Sequence, residues 1–152
     1  MRAQGLPPGF VAEVRAFDRF FSQRLGIYHQ HVLATEYSLP EARVIGEIGR
    51  AAEPWVANQL AQYLEMDRSY LTRTLNKLEK KGLVQRVPSS VDARKKLLRL
   101  TAPGEEAYAV LERQSDAMIS QQFAALSAGA QREVLAAIRC LRRVWEAAPE
   151  QR

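Results

Sequence analysis

Asp67 to Thr101 reads DRSYLTRTLNKLEKKGLVQRVPSSVDARKKLLRLT, a basic amphipathic segment that runs directly into a second basic segment of β-prone residues. Leu71, Leu75 and Leu78 follow an i, i+4, i+7 spacing and define an inward face, while Ser69, Thr72, Arg73, Asn76, Lys77 and Lys80 share the opposite one. The polar face carries hydrogen-bond donors suited to phosphates and base edges. Asp67 is placed as an N-cap, and Gly82, after Lys80 and Lys81, as the residue that ends the helix. Beyond Gly82, Leu83–Val87 and Leu97–Leu100 are short β-prone runs separated by Pro88-Ser89-Ser90 and a charged loop, and are expected to pair as an antiparallel hairpin.

Charge is concentrated in this stretch. From Arg68 to Arg99 there are ten Lys or Arg against two acids, Glu79 and Asp92, a net +8; the whole chain is +5, which leaves −3 for everything else. Segregation of this kind marks a surface for a polyanion more sharply than overall basicity does. A solvated charged face is the bland alternative, and the opposing leucine stripe together with the hairpin argues against it.

At 152 residues, 47% of them hydrophobic and 26% charged, the chain has the size and composition of one ordinary globular domain without a bias to disorder. Its first twenty residues interrupt their apolar positions with charges, so no signal peptide or membrane span is expected and a cytoplasmic location is. A single cysteine excludes an internal disulfide and any zinc site that needs several thiolates. No phosphate-cradling glycine loop, nucleophile elbow or metal-ligand cluster points to an enzyme, and no cofactor or metal is implied.

Outward from the basic stretch, apolar residues from Phe10 to about Val32 repeat at three- and four-residue steps, which predicts a long helix after Pro7-Pro8. His29 and His31 lie roughly 200° apart around it and cannot chelate one metal from one face. Ser38-Leu39-Pro40-Glu41 has capping-box spacing and opens a second helix through Ile48. After a break at Ala51–Trp55, a short third helix runs from about Val56 to Glu65, with a tight turn at Met66-Asp67 before the basic helix. Two short helices joined by a minimal turn, the second one basic, form a helix-turn-helix, and the hairpin makes it winged. Pro103 then opens a helix to about Ala125, and Ser127 caps a last one, about Ala128 to Ala147, with Val134, Ile138, Leu141 and Trp145 on one face. Cys140 sits about 140° from the centre of that face and reads as packing.

The expected fold is thus mainly α with a small antiparallel β-hairpin wing: a winged helix-turn-helix, about 38–101, flanked by dimerisation helices at about 8–35 and 102–147. The flanking helices have apolar stripes that the winged unit is too small to cover, and a homodimer would bury them while aiming two basic helices at one side of a duplex.

This order of elements resembles the multiple-antibiotic-resistance regulator (MarR) family. The resemblance is carried by Leu60-Ala61, Asp67-Arg68-Ser69, Leu78-Glu79-Lys80-Lys81-Gly82-Leu83-Val84 with Arg86, and Asp92-x-Arg94 followed by Leu100-Thr101. It implies a dimeric regulator of transcription on a pseudo-palindromic operator in double-stranded DNA, mostly a repressor, released when a small aromatic or phenolic effector enters a cleft beside the dimer platform. Carried onto this chain, it implies that Arg68, Ser69, Tyr70, Thr72, Arg73, Asn76 and Lys77 face the major groove and that Arg94 enters the minor groove from the wing tip. Arg86, Lys95 and Lys96 join them as expected DNA contacts, with Asp92 orienting Arg94. Phe21, Tyr28 and Trp55 are candidates to line an effector cleft, against a plain core role. The reactive cysteine of peroxide-sensing members and the ligands of metal-sensing members have no counterpart here. The alternatives are a DNA-binding module like that of MarR–acetyltransferase fusions and a winged-helix module that binds protein.

Overall fold

The computed structural model describes residues 5–25, 35–92 and 94–148. Among them are helices α1 (Phe10–Leu25), α2 (Leu39–Arg50), α3 (Ala57–Tyr63) and α4 (Arg68–Lys80), strands β1 (Val84–Pro88) and β2 (Lys96–Leu100), and helices α5 (Ala102–Phe123) and α6 (Ala128–Glu146). The helix expected to reach Val32 is described as far as Leu25; Tyr28, His29 and His31 lie outside the described residues.

One apolar cluster organises the centre. Leu71, Leu75 and Leu78 of α4 are 0–1% exposed and pack with Val44, Ile45 and Ile48 of α2, Leu60 and Ala61 of α3, Leu98 and Leu100 of β2, and Ala107 and Leu111 of α5. With those leucines inside, the 3.6-residue period turns the cationic residues of α4 outward. Thr74 is buried as well, its hydroxyl satisfied by donation to the Tyr70 carbonyl at 3.1 Å.

The connections follow from local chemistry. Leu64 ends α3, Glu65 takes a left-handed conformation (φ 53°), and the Met66 N–H donates back to the Ala61 carbonyl, so the chain turns into α4 within three residues. The Asp67 carboxylate then accepts from the Tyr70 N–H at 3.0 Å and starts α4. At the other end Gly82, at φ 72°, reverses the chain so that the Leu83 N–H reaches the Leu78 carbonyl at 3.0 Å. A Cβ on Gly104 would stand 1.9 Å from the Leu83 carbonyl oxygen, so only glycine lets the start of α5 lie on the entry to the wing.

The hairpin pairs Val84 with Leu100 through to Pro88 with Lys96. Pro88, which the sequence places in the loop, is the last strand residue; at a ladder end its missing N–H costs nothing, and the next N–H, of Ser89, bonds the Lys95 carbonyl at 3.0 Å. A second departure lies in the break before α3. The Trp55 carbonyl accepts from the Leu98 N–H at 2.7 Å and Val56 bridges to Leu97, so this segment lines the free edge of β2.

Among the described residues Glu41 is the one buried charge, at 3% exposed. Its Oε2 accepts from the Ser38 N–H at 2.9 Å and the Ser38 hydroxyl at 2.8 Å, closing the capping box. Its Oε1 is ion-paired with the ammonium groups of Lys77 and Lys81 at 3.1 and 3.3 Å. Burial pushes this carboxyl up, but the two Ser38 donors and the two lysines outweigh it and bring the pKa from 4.5 to about 2. The carboxylate thereby ties the first turn of α2 to the last turns of α4.

A carboxyl depressed in the folded state adds stability that is complete above the unfolded pKa and is lost as pH falls through the folded one. Glu41→Gln is therefore expected to lower stability by about 2–4 kcal/mol at pH 7. The gap between the two proteins should narrow below pH 4.5 and close near pH 2. Urea unfolding of both across that range checks this, and a gap that does not change with pH would remove the ionised carboxylate as its source.

Candidate nucleic-acid interface

The outer face of α4 is open along its length. Arg68, Ser69, Tyr70, Thr72, Arg73, Asn76, Lys77 and Lys80 are all exposed. Local contacts bias several of them. The Thr72 hydroxyl donates to the Arg68 carbonyl at 2.8 Å, so toward a partner it offers only acceptor lone pairs. The Arg73 guanidinium carbon lies 5.8 Å from the centre of the Tyr70 ring, a cation–π distance that holds the long side chain over the start of the helix. Lys77 is exposed but shares the Glu41 carboxylate with Lys81, so its charge is partly neutralised from behind.

Arg86 has a different setting from the one expected of a phosphate contact. It projects from β1 back onto α4, where its Nη1 is paired with the Glu79 carboxylate, and both Nη atoms lie 3.2 Å from the Asn76 Oδ1. Arg86 and Glu79 are each 28% exposed, and the pair clamps the wing to the helix. Sequence alone could not place it, because a strand residue and a helix residue seven positions away meet only when the hairpin folds back.

The wing tip is a small closed loop. The Ser89 hydroxyl accepts from the N–H groups of Val91 and Asp92 at 3.2 and 3.4 Å, and the Lys95 N–H returns to the Asp92 carbonyl at 2.9 Å. The Asp92 Oδ1 accepts from the Arg94 N–H at 3.1 Å and from its Nε at 3.2 Å, leaving the rest of a guanidinium that is 92% exposed free to meet a partner. Lys95 and Lys96 are exposed beside it. Val91, at 94% exposed, is an apolar tip residue that the sequence reading passed over; a lone valine in a charged loop gives no periodic signal.

Of the three candidates for an effector cleft, the two that lie among the described residues are not brought together. Phe21 stacks on Phe17, with ring centres 5.4 Å apart, and lines a groove of about 430 Å³ between α1, the end of α5 and α6. Trp55 packs against the central cluster, with its ring N–H donating to the Glu47 carbonyl at 3.1 Å and its ring 5.1 Å from that of Tyr63. It is a structural residue of the winged unit and does not line that groove. Tyr28 is outside the described residues.

The groove belongs to helices left uncovered. No residue of α6 is buried; Ile138, Leu141 and Trp145 are 43%, 47% and 70% exposed, and Phe10, Phe17 and Phe20 of α1 are about half exposed. Cys140 is exposed on α6, its sulfur 3.8 Å from an Arg143 Nη.

An exposed cationic helix behind a minimal turn, with a basic hairpin tip beside it, defines a winged helix-turn-helix protein. The family model described as MarR family matches residues 37–95, the stretch that holds α2 to the wing tip. A putative transcriptional regulatory protein for the hcr operon of Thauera aromatica is 38% identical over 76 residues, 50% of this chain and 45% of that protein, so the match spans about half of the relative's length. Among solved structures, Streptococcus pneumoniae FabT in complex with DNA superimposes with a TM-score of 0.71 at 24% identity, covering 90% of this chain and 97% of that one. Rhodococcus jostii CouR bound to p-coumaroyl-CoA does so with a TM-score of 0.70 at 19% identity, covering 99% and 100%. At these identities the structures establish the fold, mainly α with a winged hairpin.

The Arg94 side-chain and backbone hydrogen bonds hold the Asp92 carboxyl below its ordinary range. An NMR titration of Asp92 should therefore give a midpoint below that of an unstructured aspartate. Arg94→Ala should move it upward; a midpoint that does not respond would show that the tip is held by other contacts.

Proposed function

We propose that the protein is a homodimeric regulator of transcription that binds a pseudo-palindromic operator in double-stranded DNA, with α4 in the major groove and the Arg94 wing tip in the flanking minor groove. The observation that carries this reading is the open cationic face of α4, held outward by a leucine face that is fully buried. A fold shared with FabT, whose structure contains DNA, supports it. Repression relieved by a small aromatic effector is the finer reading; it is supported by the same fold in CouR, whose structure contains p-coumaroyl-CoA. Among the described residues no helix is long and apolar enough to cross a membrane, which accords with a protein that works on DNA.

A second copy of the chain is the proposed cover for α1 and α6. Their apolar faces flank one groove, lie at the two ends of the described chain and are unmatched by any surface of the winged unit. Leu141→Glu, at 47% exposed in one chain, should leave the winged unit folded and convert a dimer to a monomer in sedimentation equilibrium at micromolar concentration. A parent protein that is already monomeric there would remove the dimer.

The DNA reading is tested by fluorescence anisotropy on operator and scrambled duplexes across a range of salt. Affinity should fall steeply with salt, as phosphate contacts require; a protein-binding winged module would show no duplex affinity. Arg73→Ala should cost about 1–3 kcal/mol on the operator and relax preference at one position per half-site. Arg94→Ala should weaken all duplexes more evenly and flatten the salt slope. Parent-like operator binding by Arg73→Ala, or parent-like affinity and slope for Arg94→Ala, would reassign that residue.

A further inference from the structure

We infer that Asn76 reads DNA as a hydrogen-bond donor only, and that Arg86, which never needs to touch DNA itself, sets this by occupying the Asn76 carbonyl oxygen. The inference rests on the proposed placement of α4 in the major groove.

A guanidinium has five N–H donors and no acceptor, so the atom of the Asn76 amide that faces it has to be the oxygen. Both Nη atoms of Arg86 stand 3.2 Å from Oδ1, so the guanidinium fork grips the oxygen from the side of the wing. Nη1 is at the same time paired with the Glu79 carboxylate, which fixes the guanidinium against α4 and keeps it from swinging away with the wing. The Asn76 amide is thereby locked with its oxygen toward the wing. Its NH2 group is left as the end available to a partner, on a residue that is exposed on the outer face of α4.

This changes what Asn76 can recognise. The usual asparagine contact in the major groove is bidentate to adenine, with the side-chain oxygen accepting from the adenine amino group and the NH2 donating to N7. Here the oxygen is turned toward Arg86 and the NH2 toward a partner, so an adenine amino group brought to this position would face a donor instead of an acceptor. The chemistry left is donation to a base-edge acceptor: O6 or N7 of guanine or O4 of thymine are met without conflict, whereas at adenine a single donation to N7 would leave the neighbouring amino group without its acceptor, which makes adenine the disfavoured purine. Glu79 and Arg86 form the positioning pair that converts an adenine-reading residue type into a guanine- or thymine-reading one.

The test is selection of bound duplexes from a random pool by the full-length protein, its Asn76→Ala variant and a Glu79→Gln/Arg86→Met double variant. The double change removes both charges together, so neither partner is left stranded, and circular dichroism melting verifies its fold. The parent should select guanine or thymine at one position per half-site. Asn76→Ala should erase that preference and weaken operator binding about 3- to 10-fold, the worth of one hydrogen bond. In the double variant the freed amide should admit adenine at the same position. Adenine selected by the parent where Asn76→Ala loses preference would overturn the inference while leaving the DNA-binding reading intact. So would equal weakening of every duplex by Asn76→Ala, which assigns the amide to a phosphate, or an unchanged profile in the double variant. A parent that enriches no duplex would instead overturn the DNA-binding reading, and this inference with it.

Discussion

The burial of one face of α4 is the constraint from which the rest of the molecule follows. Leu71, Leu75 and Leu78 are the shared floor under α2, α3 and the wing, and none of these elements has an apolar surface large enough to fold without it. Filling that floor fixes the rotation of α4 about its axis. The outward direction of Arg68, Arg73 and Asn76 is then a consequence of packing, and needs no further interaction to hold it.

The acidic residues of the winged unit act as internal counterions that sort the cations around them. Glu41 holds Lys77 and Lys81, Glu79 holds Arg86, and Asp92 holds part of Arg94. Each pairing joins two elements or closes a loop: α2 to α4, α4 to β1, and the wing tip to itself. The net field of the stretch stays positive, because six of its ten cations, Arg68, Arg73, Lys80, Lys95, Lys96 and Arg99, form no ion pair with a described residue. A charge count alone treats all ten cations as equivalent, whereas the structure separates those that position from those that are free to touch a partner.

The two ends of the chain present the opposite situation. The hydrophobic positions of α1 and α6 are as regular as those of α4, yet within one chain they stay half exposed and border a groove. Helix periodicity records that a face will be covered; it does not record whether the cover belongs to the same chain. Among the described residues nearly all of α6 is left uncovered, and this is the observation that supports the proposed second copy.

The sequence by itself determined the elements and their order, because each was written in local chemistry: the capping box at Ser38 and Glu41, Asp67 before α4, Gly82 after it, Thr101 and Pro103 opening α5, Ser127 opening α6. It also determined which face of α4 is basic, since that depends only on spacing along a helix. What the tertiary structure decided are relations between residues distant in the chain. That Glu41 is buried against Lys77 and Lys81, that Arg86 turns inward onto Glu79 and Asn76, that the Trp55 backbone lines the edge of β2, and that Phe21 and Trp55 do not share a cleft all depend on how the hairpin and α2 fold back onto α4. Local propensity carries no information about such meetings, because the free energy that fixes them comes from burial and charge pairing that exist only once the elements have docked.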